Sequence, residues 1–319
     1  MITILDVVTF GETMVLMVPD EMGSLQYIYN YKKKIGGAES NFAIGLSRLG
    51  HKVGWFSKLG DDPHGRFIKA FIQGEGVDTS RVTFTGEAPT GIFFKERYAA
   101  RESKIYYYRQ GSAASTLSMD DVDEDYISQA RFLHITGITP ALSQTCLKTV
   151  MKTIDLAHEK GLRVSFDPNI RMKLWKTRRM KEVLIDIIAK ADIVMPSVEE
   201  GELIFGTASP EKIAEDLLKL NTGIAVVKTG AAGCLVGTEE GMKRVQGFKV
   251  EQVVDPHGAG DGFAAGFISG LIDGLDAEQS AKRANAAGAF ATGVMGDVEG
   301  LAYREELETY LSGKSAFYR

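Results

Sequence analysis

Val253-Val254-Asp255-Pro256-His257-Gly258-Ala259-Gly260-Asp261-Gly262-Phe263 is the stretch on which the reading of this chain turns. The residues before it, Phe248 to Val254, alternate polar and apolar and include valines, which is the period of a strand. Those after it, Ala264 to Leu275, are rich in Ala, Phe, Ile and Leu, with Gly266 and Gly270 on one face, and read as a helix. A strand running into a helix through Gly-Ala-Gly presents unobstructed backbone N–H groups at the positive end of the helix dipole. Such a nest suits a phosphate or a developing oxyanion. Asp261 falls in the first helical turn, where its pKa is expected to be held low and its carboxylate ionised. An anion cradle beside a carboxylate base is what phosphoryl transfer to an alcohol needs. The same features also occur without chemistry, since Gly-rich turns precede many helices and a first-turn Asp complements the dipole. The rest of the chain has to decide.

The 319 residues suggest about two domains, or one large α/β domain with an elaboration. At 44% hydrophobic and 25% charged, the composition is that of an ordinary globular protein able to bury a sizeable core. A net charge of −5 gives no global basic field, so neither nucleic acid nor a membrane surface is an expected partner. Anionic ligands would need local basic groups. Cys146 and Cys234 are far apart, in no metal or redox spacing, and read as reduced core thiols of a cytoplasmic protein. The five histidines form no ligand pattern. No signal peptide is expected, and no apolar run is long enough to span a bilayer.

Along the chain, Leu5 to Phe10 reads as a buried strand. Met14 to Val18 and Gln26 to Lys33 read as two more, split by a turn at Pro19 to Gly23. Ala38 to Leu49 is an amphipathic helix closed by Gly50. Val53 to Leu59 is a strand, and Gly91 to Tyr98 with Lys104 to Arg109 looks like a hairpin. A regular alternation follows, with strands at 132–136, 163–167, 192–195 and 224–228 and helices at 145–160 and 181–190. From Asp261 onward the chain reads as successive helices. This pattern predicts an α/β fold with a doubly wound, mostly parallel sheet. The early β-rich pieces, about 12–35 and 91–110, are expected to form a small lid sheet on a single domain spanning 1–319.

In such sheets ligands bind at the carboxyl ends of the strands. Four further clusters fall there: Gly36-Gly37-Ala38-Glu39-Ser40-Asn41, Asp167-Pro168-Asn169-Ile170-Arg171, Ser197-Val198-Glu199-Glu200 and Lys228-Thr229-Gly230-Ala231-Ala232-Gly233. Each alone is weak, but four on one edge, with the Asp261 nest, are hard to explain as turns.

At this point the chain resembles the ribokinase-like, phosphofructokinase-B group of sugar kinases, over essentially its whole length. Gly36-Gly37 with Asn41 is similar to that group's first signature. Asp255 to Asp261 is similar to its second, D-T-x-G-A-G-D, from which Pro256 and His257 depart while Gly258, Ala259, Gly260 and Asp261 are kept. The resemblance implies that Asp261 is the general base on the sugar hydroxyl. It also implies that Gly258, Ala259 and Gly260 form an anion hole touching the nucleotide. Ser197 to Glu200 resembles an N-x-x-E element that orders Mg²⁺ and phosphates, with Glu200 kept, through water, and Ser197 in place of Asn. Lys228, Thr229, Gly230 and Gly233 resemble the nucleotide loop, and Asn285 lies where a late helix borders the adenine. ATP and Mg²⁺ are thus the implied cofactors, with a monovalent cation (K⁺) near Asp255 as a further implication.

Three stretches resemble, within this group, the kinases of 2-keto-3-deoxygluconate: Tyr106 to Ser115, His134 to Leu142 and Gly296 to Gly300. Phe93 stands where that subgroup has a tyrosine. The residues themselves point the same way, because Arg109 and Arg171 can each grip a carboxylate bidentately and Tyr107 offers an aromatic face. Gly36, Gly37, Asn41, Phe93, Tyr107, Arg109, Arg171 and Asp261 are the expected substrate contacts.

A dinucleotide-binding dehydrogenase is the first rival. It lacks the third glycine, Phe263 standing at its place, and no strand with an acidic ribose reader follows. A Walker-type ATPase is excluded by the absence of G-x-x-x-x-G-K-[ST]. Fructokinase or ribokinase activity and a non-catalytic sugar sensor on the same fold stay open. Exposed lid edges tend to pair, so a homodimer or larger assembly through the lid is expected.

Overall fold

This computed structural model describes residues 5–98, 104–175 and 179–313. The chain opens with β1 (Val7–Phe10), β2 (Met14–Pro19) and β3 (Tyr31–Gly36), then α1 (Ala38–Arg48), β4 (Val53–Phe56), β5 (Lys58–Gly60), α2 (Pro63–Gly74) and β6 (Thr83–Thr85). β7 (Ile92–Glu96) and β8 (Lys104–Tyr108) pair antiparallel and lead to the short α3 (Glu124–Ile127). Alternation then takes over, with β9 (Phe132–Thr136), α4 (Thr139–Leu142), α5 (Gln144–Glu159), β10 (Arg163–Asp167), α6 (Met180–Ile188), β11 (Ile193–Val194), α7 (Val198–Phe205), α8 (Pro210–Leu218) and β12 (Ile224–Lys228). The antiparallel pair β13 (Gly233–Thr238) and β14 (Gly241–Gln246) follows, and α9 (Ala259–Ile272), α10 (Ala277–Ala291) and α11 (Arg304–Leu311) close the described chain.

Eight strands form the main sheet in the order β14-β13-β12-β11-β10-β9-β1-β4. It is parallel from β12 to β4, and β13 and β14 add an antiparallel edge. Period-two side chains sort its core onto two faces. Val7, Val53, Trp55 and Val226 pack with Phe42, Phe263 and Phe267. Val8, Phe10, Phe56 and Val227 turn the other way, onto Ile154, Phe166 and Leu184. Helices therefore cover both faces, and the strand ends remain open for a site.

A four-stranded small sheet, β3-β2-β7-β8, joins the two early β-rich pieces. Met14, Leu16, Val18 and Phe93 form its own buried cluster. The strand expected at Gln26 to Lys33 begins later, at Tyr31. Leu25–Tyr27 is a single 3₁₀ turn capped by the Ser24 hydroxyl. The strand expected at Phe248 to Val254 is absent, and residues 247–258 are irregular. The β13–β14 hairpin, which the sequence reading passed over, supplies the edge strands instead. Gly266 and Gly270, expected on one helix face, lie where α9 meets α10. A Cβ on Gly266 would stand 2.9 Å from the Ala284 Cα, so only glycine lets the helices approach this closely.

Candidate active site

A cavity of about 950 Å³ opens where the carboxyl ends of the central strands face the small sheet. Its wall draws on each glycine-rich and charged cluster singled out above. β3 runs into Gly36 and Gly37, β10 into Asn169 and Arg171, β11 into Ser197 and Glu200, and β12 into Lys228 and Gly230.

Asp261 lies in the first turn of α9, on the cavity wall. Its Oδ2 accepts from Asn41 Nδ2 at 2.7 Å and its Oδ1 from Asn169 Nδ2 at 3.3 Å. These amides hold both carboxylate oxygens in place. The expected low pKa does not hold. Burial pushes the carboxyl up to about 7, Asp167 and Asp297 add to the rise, and Asn41 and Arg171 counter it. The helix begins at Gly258, whose φ of 79° lies in the left-handed region that glycine reaches without strain. A Cβ there would also meet the Asp297 carbonyl oxygen at 2.2 Å. The amides of Gly258, Gly260 and Asp261 have no acceptor among the described residues, which leaves three donors for an anion. Ala259 donates to the Pro256 carbonyl and does not line the cavity, so it belongs to the turn and not to the donor set.

On the small-sheet side, Phe93 and Tyr107 stack with ring centroids 5.7 Å apart. A Cβ on Gly36 would come within 2.6 Å of the Phe93 ring, and one on Gly37 within 2.6 Å of the Glu12 carbonyl. The two glycines thus let these groups close on the cavity. Arg109 is not the free guanidinium expected. It is buried, its Nε donates to Glu12 Oε2 at 2.6 Å and its Nη2 pairs with the same oxygen. Ser112 Oγ donates to the other oxygen of Glu12, and the guanidinium lies 5.5 Å from the Tyr107 ring centroid. Arg171 is exposed on the cavity wall with no ion pair among the described residues. The sequence reading missed Glu12. The only signal was a carboxylate directly after the first strand.

Lys228 Nζ lies 2.9 Å from both oxygens of Asp167. Burial works against the Lys228 charge, but Asp167 and Glu200 outweigh it and raise its pKa. Glu200 is spent on local structure. Its Oε2 accepts from Ser197 N–H and its Oε1 from Ile170 N–H, both at 2.8 Å, while Ser197 Oγ accepts from Glu200 N–H. This capping box starts α7 and pins the loop after β10. Among the described residues there is no cluster of three or more His, Cys, Asp or Glu that could hold a metal directly. With both Glu200 oxygens already accepting, the donor set fits a Mg²⁺ carried in on phosphate and met through water.

Three expected nucleotide contacts do not line the cavity. Thr229 N–H donates to the Gly233 carbonyl. A Cβ on Gly233 would meet the Val245 carbonyl at 2.2 Å. Asn285 Nδ2 donates to the Val245 and Gln246 carbonyls, at 3.0 and 3.1 Å. Thr229 closes the loop that Gly230 brings to the cavity, while Gly233 and Asn285 sit against the end of β14 beside it. Buried Lys95 and Asp255 form a further knot with the half-buried His257 at the Gly258 turn, in which Lys95 had no notice from sequence.

A family profile described as pfkB family carbohydrate kinase matches residues 5–302. The chain belongs to that family. Among curated relatives, the kinase is 41% identical over 319 residues to the 2-dehydro-3-deoxygluconokinase of Bacillus subtilis strain 168. The match covers 99% of this chain and 98% of that one. Its fold superposes with a TM-score of 0.88 on the PfkB protein of Polaromonas sp. JS666, at 43% identity, covering 95% of this kinase and 99% of that chain. A protein of E. coli named a ribokinase II, solved in complex with ATP and Mg²⁺, matches with a TM-score of 0.90 at 27% identity, over 97% of this kinase and all of that chain (100%).

Proposed function

We propose that this carbohydrate kinase transfers the γ-phosphoryl group of ATP to the terminal hydroxyl of 2-keto-3-deoxygluconate, giving the 6-phosphate. The observation that carries the reading is Arg171, a guanidinium without a carboxylate partner among the described residues, on the same cavity wall as the Asp261 base. A neutral sugar has no use for that charge, whereas a sugar acid pairs with it bidentately. The relative named above as 2-dehydro-3-deoxygluconokinase supports the same substrate.

Asp261, once ionised, accepts the hydroxyl proton as the sugar oxygen bonds to the γ-phosphorus. The bond to the β-phosphate bridging oxygen breaks and ADP leaves. The amides of Gly258, Gly260 and Asp261 receive the charge that develops on the transferring group. Lys228 lines the cavity as a cation held on Asp167, and Gly230 lets the backbone approach the nucleotide. Glu200 would meet a Mg²⁺ brought in with the nucleotide through water, and that ion, when bound, would supply charge neutralisation on the phosphates. Arg109, steered by Glu12 and backed by Tyr107, presents donors to the polar end of the sugar acid, and the small sheet acts as the lid. A pKa near 7 suits the base, since proton transfer is most effective when the catalytic pKa lies near the working pH.

The test is ADP release with a panel of 2-keto-3-deoxygluconate, fructose, ribose and nucleosides, with the phosphate position read by ³¹P–¹H correlation. Fastest turnover of the keto acid at its terminal hydroxyl is expected. Preference for fructose or ribose would make this a neutral-sugar kinase.

The small sheet also carries the assembly expectation. β3 and β8 are its edges, and Tyr29 and Tyr108 are 88% and 68% exposed. Aromatic side chains beside open strand edges favour pairing with a second copy. Light scattering at micromolar concentration is expected to give a dimer, and a monomer mass would remove this role of the small sheet. No described helix is long and apolar enough to cross a membrane. ATP as donor fits a cytoplasmic location.

A further inference from the structure

The implication of a free monovalent cation at Asp255 meets an obstacle in the structure, because a cation of the chain's own already stands there. Asp255 and Lys95 are each 2% exposed. Lys95 Nζ lies 2.6 Å from Asp255 Oδ2, which also accepts from Gly296 N–H at 3.2 Å. Asp255 Oδ1 accepts from His257 N–H at 3.2 Å and lies 2.7 Å from His257 Nδ1. That ring nitrogen is 2.9 Å from Lys95 Nζ, so it either donates to the carboxylate or accepts from the ammonium. Every side of the carboxylate is occupied, and a second cation would be set against the Lys95 charge.

We propose that Lys95 is a tethered monovalent cation. It holds Asp255, and through it the Pro256–Gly258 turn and its anion-binding amides, so the kinase needs no added K⁺. His257, two residues on from Asp255, completes the same knot. The connection to the chemistry is short. Asp255 bonds Gly296 on one side and starts the Gly258 turn on the other, and Gly258 packs on the Asp297 carbonyl. Lys95 is on β7, two residues from Phe93 on the cavity wall, so the strand that faces the sugar also anchors the anion site. Burial raises the Asp255 pKa, but the His257 and Lys95 contacts outweigh it and hold it well below the usual carboxylate range. Asp297, whose pKa burial raises, feels the Lys95 charge as well. Lys95 touches no reacting atom and is a positioning residue.

This inference rests on the kinase reading but not on which sugar is preferred. Rates are therefore taken on the best substrate of the panel above, at constant ionic strength, with tetramethylammonium, Na⁺, K⁺ or NH₄⁺ as the only monovalent cation. The native kinase is expected to turn over at the same rate in all four, within about twofold, once screening is held equal. Lys95→Ala is expected to lose about 10²-fold in kcat, the scale of a misplaced oxyanion donor, with sugar KM nearly unchanged. NH₄⁺ or K⁺ should restore roughly tenfold of that loss and saturate, because the ion refills the space left beside Asp255. The same salts should raise the melting temperature of Lys95→Ala and leave the native protein unmoved. Lys95→Met, which fills the space, should lose as much and gain nothing from salt. Activation of the native kinase by K⁺ over tetramethylammonium by more than about fivefold overturns the proposal, even if the variants do not fold. So does a Lys95→Ala protein with native kcat, or one that no cation rescues. A preference for a neutral sugar would overturn the substrate reading alone.

Discussion

Asp261 is pulled in two directions by its surroundings. The helix N-terminus favours the anion, and on that basis the sequence predicts a low pKa. A dipole contributes about 0.3–1 kcal/mol, less than one pKa unit, whereas burial shifts carboxyls by up to about 3–5 units. Burial wins, and the group stands at about 7. Two outcomes follow. The kcat/KM of the free enzyme should fall tenfold per pH unit below about 7 as the base is protonated. A profile flat to pH 5 would place the base elsewhere. Stability should run the opposite way. Because the folded pKa is raised above the unfolded one, ionisation costs the fold nothing below about pH 4, an increasing amount through pH 4–7, and the full amount above about 7. Asp261→Asn should therefore lower kcat by about 10²–10⁴ while melting higher than the native protein at pH 8. Its advantage should shrink towards pH 5. A variant with near-native kcat would end the assignment, and one less stable at pH 8 would show that burial does not strain this carboxyl.

Among elements, those with long periodic runs were legible and those defined by partners were not. The helix after Gly37, the alternating strands and the successive helices from Asp261 onward follow from apolar spacing and caps. Residues 248–254 have strand alternation but no neighbour to pair with. Val253 and Val254 are exposed, and the Val254 and Asp255 amides turn to the Thr292 carbonyl. Phe93 and Lys95 share the buried face of β7. The inward lysine is a signal the alternating pattern contained, because a buried ammonium requires a partner. The α9–α10 contact gives a test at this scale. Gly266→Ala should destabilise by about 1–3 kcal/mol through overpacking against Ala284, read as a drop in denaturation midpoint. An unchanged midpoint would mean that the two helices separate freely.

For the whole molecule, the placement of the cavity follows from topology. A parallel sheet gathers its strand ends on one edge, so four clusters remote in sequence could be assigned to one site before any coordinates. What stayed hidden were pairs joining distant segments. Glu12 and Arg109 are 97 residues apart, and Lys95 and Asp255 are 160 apart. No local pattern announces such partners, and they alter the electrostatics. With Arg109 neutralised by Glu12, the cavity-lining guanidinium left for a substrate carboxylate among the described residues is Arg171, in a chain of net charge −5. An Arg–carboxylate bond in a closed site is worth about 1.5–3 kcal/mol, or roughly ten- to a hundredfold. The most direct test is the ratio of kcat/KM for 2-keto-3-deoxygluconate to that for fructose, in native protein and in Arg171→Met. The ratio should favour the keto acid in the native kinase and fall by about ten- to a hundredfold in Arg171→Met, with the fructose value little changed. A native ratio favouring fructose, or an equal loss on both sugars, would contradict the sugar-acid reading.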